Sequence, residues 1–156
     1  MSYALCFLRA QGYSDSPDHG FKLRALDVGS CYNPFGNVDF MDTSAIDLSP
    51  ANPNVHKCDF LTVPLTDDDE IWFSREVRES GSKIDTVTGL PKDRYDVVIF
   101  SLLLEYLPTP GLRYEAVRRA AELLTEYGLL VIVTPDSSHQ VSNSIHFILL
   151  IYKYRR

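Results

Sequence analysis

Asp96-Val97-Val98-Ile99-Phe100 opens the stretch that decides the fold, and Leu129-Leu130-Val131-Ile132-Val133 closes it. Both are continuous apolar runs rich in β-branched residues, the pattern of strands covered on both faces in a parallel sheet. Between them, within Leu112–Tyr127, Tyr114, Val117, Ala121 and Leu124 recur at spacings of three, four and three, with Arg113, Arg118, Arg119 and Glu122 mainly off that face. Such spacing predicts an amphipathic helix, and Gly128 stands where its C-cap is expected. Strand, helix, strand is the unit of a right-handed parallel crossover.

Working towards the N-terminus, Phe21–Val28 reads as a strand ending at Gly29-Ser30. Ser44–Leu48 is a second short apolar run, closed by Ser49-Pro50, and Val55–Cys58 a third, weaker one. Thr66 followed by Asp67, Asp68, Asp69 and Glu70 has the form of a helix start, a capping hydroxyl with acids in the first turn. Ser80–Arg94 carries two glycines and a proline and is expected to be a surface loop. Strands alternating with helices predict an α/β fold of the doubly wound, mostly parallel class.

Composition bounds the function. The 156 residues are 45% apolar and 23% charged, the profile of one globular domain. Lys and Arg number 15 against 21 Asp and Glu, a net charge of −6. That balance disfavours gripping nucleic acid, which needs clustered cations. Cys6, Cys31 and Cys58 are an odd set without C-x-x-C spacing, and the four histidines are scattered. Neither pattern is a disulfide framework or a metal site, so a reducing compartment is expected. The longest apolar run, Phe147–Tyr152, is far short of the about 20 residues that cross a bilayer. A soluble chain of the cytoplasm, or of the nucleus, is the expectation, with no metal and no membrane.

Ligands of such sheets bind outside the carboxyl ends of the strands. At the first of these ends, Leu26-Asp27-Val28-Gly29-Ser30-Cys31-Tyr32-Asn33-Pro34, Gly29 lets the backbone approach a ligand, or simply ends the strand in a turn. Cys31 and Pro34 stand where a dinucleotide-binding loop has its second and third glycines, which argues against a pyrophosphate. Asp47, at the end of the second strand, can accept from both hydroxyls of a ribose or cap the next segment. Asp59 can accept from an adenine amine, with Phe60 packing on the ring. Ser101 follows the Asp96–Phe100 strand, its main chain facing the centre of the cleft. Together they fit a nucleoside without a pyrophosphate, and S-adenosyl-L-methionine is such a molecule. Asp136, Ser137, Ser138 and His139 hold triad residue types, but sequence neighbours rarely converge as a triad.

Four blocks carry a resemblance: Leu26–Phe35, Lys57–Leu61, Val98–Leu104 and Thr134–Gln140. From about Leu23 to Gln140 the chain resembles the S-adenosylmethionine sensors that act upstream of TOR complex 1. Their wider family includes fungal methyltransferases of adenine in large-subunit ribosomal RNA. The resemblance implies a class I methyltransferase (Rossmann-like) fold with cofactor contacts at Gly29, Asp47, Asp59, Phe60 and Ser101. It further implies that the empty protein associates with the KICSTOR and GATOR complexes and restrains TOR signalling until ligand binds. The likeness divides the chain into a flank, 1–20, a binding domain, 21–140, and a divergent tail, 141–156, with the closing strands incomplete. The alternative is an enzyme that methylates adenine in ribosomal RNA. Glu105 and Tyr106 lie in the Ser101–Pro108 segment, but no Asn/Asp-Pro-Pro-aromatic motif does.

Overall fold

A computed structural model describes residues 22–77, 83–134 and 147–152. In chain order the elements are β1 (Leu23–Val28), β2 (Met41–Asp47), β3 (His56–Lys57), β4 (Leu65–Thr66), β5 (Trp72–Val77) and β6 (Lys83–Pro91). β7 (Tyr95–Ser101), α1 (Leu103–Tyr106), α2 (Pro110–Leu123), β8 (Leu124–Thr134) and β9 (Phe147–Tyr152) follow. They build one nine-stranded sheet in the order β4-β6-β3-β2-β1-β7-β8-β9, with β5 antiparallel on β6. The centre is parallel, as the continuous apolar runs predict: β1 lies between β2 and β7, and β7 pairs β8. Burial of every residue from Ala25 to Val28 shows why β1 needs an unbroken run, since both its faces are covered.

The chain leaves β1 towards β2, β3 and β6, then crosses back to β7 on the other side of β1. The reversal is the switch point at which a crevice opens beyond the strand ends. At the opposite, amino-terminal end the same two strands are clamped. The Arg24 backbone amide donates to Asp96 Oδ2 at 2.9 Å, and its guanidinium reaches both carboxylate oxygens. Beneath the crevice, Leu26, Val28, Val98, Phe100, Leu130 and Ile132 form the core with Ala116, Ala120 and Leu123 of α2.

Several expectations are corrected. Thr66 starts no helix: it is buried in β4, its hydroxyl donating to Leu90 O at 3.4 Å and its carbonyl accepting from the Lys92 amide. Pairing with β6 outweighs capping preference, and Asp67–Glu70 form an exposed bend. Most of the loop expected over Ser80–Arg94 is β6 itself. Helix α2 begins with Thr109 accepting from the Leu112 amide at 3.3 Å and Pro110 in its first turn, and it stops at Leu123 rather than Tyr127. Its buried face is Ala116, Arg119, Ala120 and Leu123, rotated from the predicted one, and Tyr114 points to solvent. Small alanines let the helix lie close on the sheet, a choice that apolarity alone does not reveal. Gly128 caps no helix but sits inside β8, where the register against β7 shifts. A Cβ there would lie 3.0 Å from the Leu124 side chain, so glycine suits the crowded bulge. Phe147–Tyr152, part of the expected tail, is the antiparallel edge strand β9. Helices are sparser than strand–helix alternation predicts, with α1 and α2 alone among the described residues.

Candidate functional site

The turn after β1 is built by a buried acid. Asp27 is fully buried and its Oδ2 accepts from the Ser30 hydroxyl at 2.6 Å, while Ser30 Oγ accepts from the Asn33 amide at 3.0 Å. Burial pushes the Asp27 carboxyl above its ordinary range, the Ser30 bond pulls it back, and the charge of Asp47 raises it again. Gly29 follows with φ +76°, its amide donating to Ile46 O at 2.9 Å. A Cβ on it would lie 3.1 Å from Leu103 Cδ1. Glycine therefore meets two demands at once, left-handed backbone and a close approach to α1. Cys31 and Asn33 also have positive φ, which folds the rest of the turn back over the sheet end.

Asp47 closes β2 and joins two loops. Its Oδ2 accepts from the Cys31 amide at 3.1 Å and its Oδ1 from the Ser49 amide at 2.7 Å. The carboxylate thus ties the turn after β1 to that after β2, half-buried and beside Gly29. After β3, Asp59 is exposed, with Oδ1 accepting from the Leu61 amide at 3.1 Å. Phe60 is buried, its ring edge-on to Phe100 with centroids 5.7 Å apart. Ser101 ends β7, and the next residue, Leu102, takes φ +63° as its amide donates to Val133 O. That reversal swings α1 over the strand ends.

All five residues singled out from the sequence, Gly29, Asp47, Asp59, Phe60 and Ser101, line one cleft of about 400 Å³. Its remaining wall is chiefly apolar, with Ile46, Leu48, Leu61, Leu103 and Tyr106 among the lining residues. A mostly apolar cavity with a few convergent polar groups is the usual form of a small-molecule site. Asp27 and Arg119 escaped the sequence reading. The signal for Asp27 was on the page, an acid inside the apolar run Leu26–Val28. Arg119 carried none, because a helical arginine ordinarily faces solvent.

Cys58 lines the cleft from its buried side, and burial first, then Asp59, push its thiol up to about 12. It is a packing group, protonated at neutral pH and no nucleophile. Among the described residues no three His, Cys, Asp or Glu side chains converge on a metal position. The triad types at Asp136, Ser137, Ser138 and His139 lie outside the described residues. No helix among those described is long and apolar enough to cross a membrane.

Comparison with known proteins places this geometry. The chain is 45% identical over 125 residues to the S-adenosylmethionine sensor upstream of mTORC1 of Danio rerio, covering 76% of this chain and 30% of the relative. Against the protein of that name from Xenopus laevis it is 42% identical over 127 residues, 80% of this chain and 31% of the relative. The chain therefore spans about a third of the length of these relatives. Their names lend no support to the expected kinship with ribosomal RNA adenine methyltransferases. In structure it resembles a SAM-dependent methyltransferase from Archaeoglobus fulgidus, with TM-score 0.50 and 20% identity over 87% of this chain and 54% of that one. The fold is accordingly the class I, Rossmann-like one. A family model described as methyltransferase domain matches residues 23–153, from the first residue of β1 to just past β9, and the chain belongs to that family.

Proposed function

We propose that this chain binds S-adenosyl-L-methionine in the strand-end cleft and reports its filling to the TOR complex 1 pathway. The observation that carries the binding is the convergence of Gly29, Asp47, Asp59, Phe60 and Ser101 on one apolar cleft at the switch point of the sheet. The residues suit the cofactor. Gly29 leaves a space that a Cβ would fill, Asp47 offers a carboxylate at the end of β2 on the same cleft, and the wall around Phe60 is apolar enough for a purine. In this reading Asp47 orients the ribose, Asp59 accepts from the adenine amine, Phe60 packs on the ring, and Gly29 and Ser101 admit the methionine end. When bound, the cofactor would supply a sulfonium methyl group. The binding domain is residues 21–140, and β9, beyond that boundary, pairs with β8 at the sheet edge.

The signalling role comes from the relatives' names. The partners are the KICSTOR and GATOR complexes, held by the empty protein and released on filling. A ligand shifts such an equilibrium only through its differential affinity for the two states. The loops able to supply that difference are Asn33–Phe40 and Ser101–Gly111, the first on the β1 side of the cleft and the second carrying α1. The expected site of action is the cytoplasm, or the nucleus.

Asp47→Ala tests both parts. Loss of a charge-assisted acceptor costs about 1.5–3 kcal/mol, so calorimetry should show affinity for S-adenosylmethionine falling about ten- to a hundredfold. In a pull-down, the wild-type chain should leave its partner complex as S-adenosylmethionine is added, while Asp47→Ala stays bound at those concentrations. Wild-type affinity in the variant would remove Asp47 from the site. Association indifferent to the ligand, together with methyl incorporation into RNA, would favour the methyltransferase alternative.

A further inference from the structure

On helix α2, Arg119 is buried, and its guanidinium reaches away from the helix into the turn that follows β3. Nε donates to Phe60 O at 2.7 Å, and a terminal nitrogen donates to Val63 O. The same guanidinium lies 5.8 Å from the centroid of the Phe60 ring. Within the turn, Asp59 O accepts from the Thr62 and Val63 amides and Asp59 Oδ1 from the Leu61 amide. One planar fork thus holds both ends of a turn whose other face lines the cleft through Asp59, Phe60 and Leu61.

We infer that Arg119 is the positioning residue of this turn, setting where the Asp59 carboxylate and the Phe60 ring stand and so the selectivity of the cleft for an adenine base. The inference rests on the binding function proposed above. The physical reason for arginine is geometric. Two carbonyls three residues apart need donors spread across a rigid plane, whereas lysine offers a point charge on a flexible stem. Burying a guanidinium is costly unless its hydrogen bonds are met, and here backbone carbonyls and an aromatic face meet them. Neighbouring acids do not compete for it, since Glu115 and Glu122 both engage Arg118. A purine's exocyclic amine is read by one acceptor, so an error of an ångström in Asp59 erases the discrimination.

The test compares wild type with Arg119→Lys and Arg119→Met in two measurements. The first is the affinity ratio between S-adenosylmethionine and its analogue carrying hypoxanthine, in which a carbonyl replaces the amine. Wild type should prefer adenine about tenfold or more. Both variants should narrow that preference to within about threefold, lysine included, because charge without the fork does not fix the turn. The second is amide exchange in the ligand-free chain: Leu61, Thr62 and Val63 should exchange about tenfold faster in both variants while Val98–Phe100 keep their protection. Equal weakening of both ligands would make Arg119 a structural anchor only and overturn the inference, as would unchanged exchange at 61–63. Wild-type protein that binds neither ligand overturns the binding function itself, a different result from retained discrimination in the variants.

Discussion

Gly29→Asp should abolish S-adenosylmethionine binding, by at least about a thousandfold, while leaving the chain folded. Three costs combine. A non-glycine residue at φ +76° is strained by about 1–2 kcal/mol. The added Cβ meets Leu103 Cδ1 at 3.1 Å, so that side chain of α1 must shift. The new carboxylate also brings a negative charge to a cleft wall that already carries Asp47. Gly29→Ala separates these contributions, keeping the strain and bulk without the charge, and should lose only about tenfold. Calorimetry on both variants, with circular dichroism as the check on folding, measures the difference.

Phe100→Ala should lower stability by about 3–5 kcal/mol, a large share of what a domain of this size possesses. Phe100 is fully buried in β7, flanked in register by Val28 of β1 and Ile132 of β8, and its ring supports Phe60 edge-on. Truncation leaves a cavity directly under the cleft, so ligand affinity should fall along with the denaturation midpoint. The comparison with Gly29→Asp is informative, because that change strikes the cleft and spares the core. Urea titration with unchanged slope and a shifted midpoint is the expected result.

The central strands were legible in the sequence because their burial is two-sided. Asp96–Phe100 and Leu129–Val133 have no polar face to confuse the period, and each observed strand extends the predicted one by a few residues. β6 was illegible for the opposite reason. Asp85, Thr86, Thr88 and Gly89 break any apolar period, and Gly89 is there because Trp72 and Thr66 crowd its Cα, with a Cβ only 3.0 Å from the Trp72 ring. Such a glycine reads as a turn until the partner strand is known. Thr66 with its acidic followers misled in the same way, since a local capping preference of about 1 kcal/mol yields to strand pairing.

The cleft was more legible than the sheet edges. Ligand-side residues sit at strand ends, and the strand ends of β1, β2 and β7 are marked by Gly29, Asp47 and Ser101 in sequence order. What sequence spacing does not reveal is the support behind them. Asp47 also joins two loops through the Cys31 and Ser49 amides, and Arg119 reaches Phe60 from 59 positions away. Long-range hydrogen bonds of this kind leave no periodic trace.

An amide chemical-shift titration of the wild-type chain with S-adenosylmethionine addresses the binding site most directly. Saturable changes at Gly29–Cys31, Asp47–Leu48, Cys58–Leu61 and the two loops Asn33–Phe40 and Ser101–Gly111 are the predicted result. Absence of any saturable change, or changes centred on the Arg24–Asp96 end of the sheet, would contradict it.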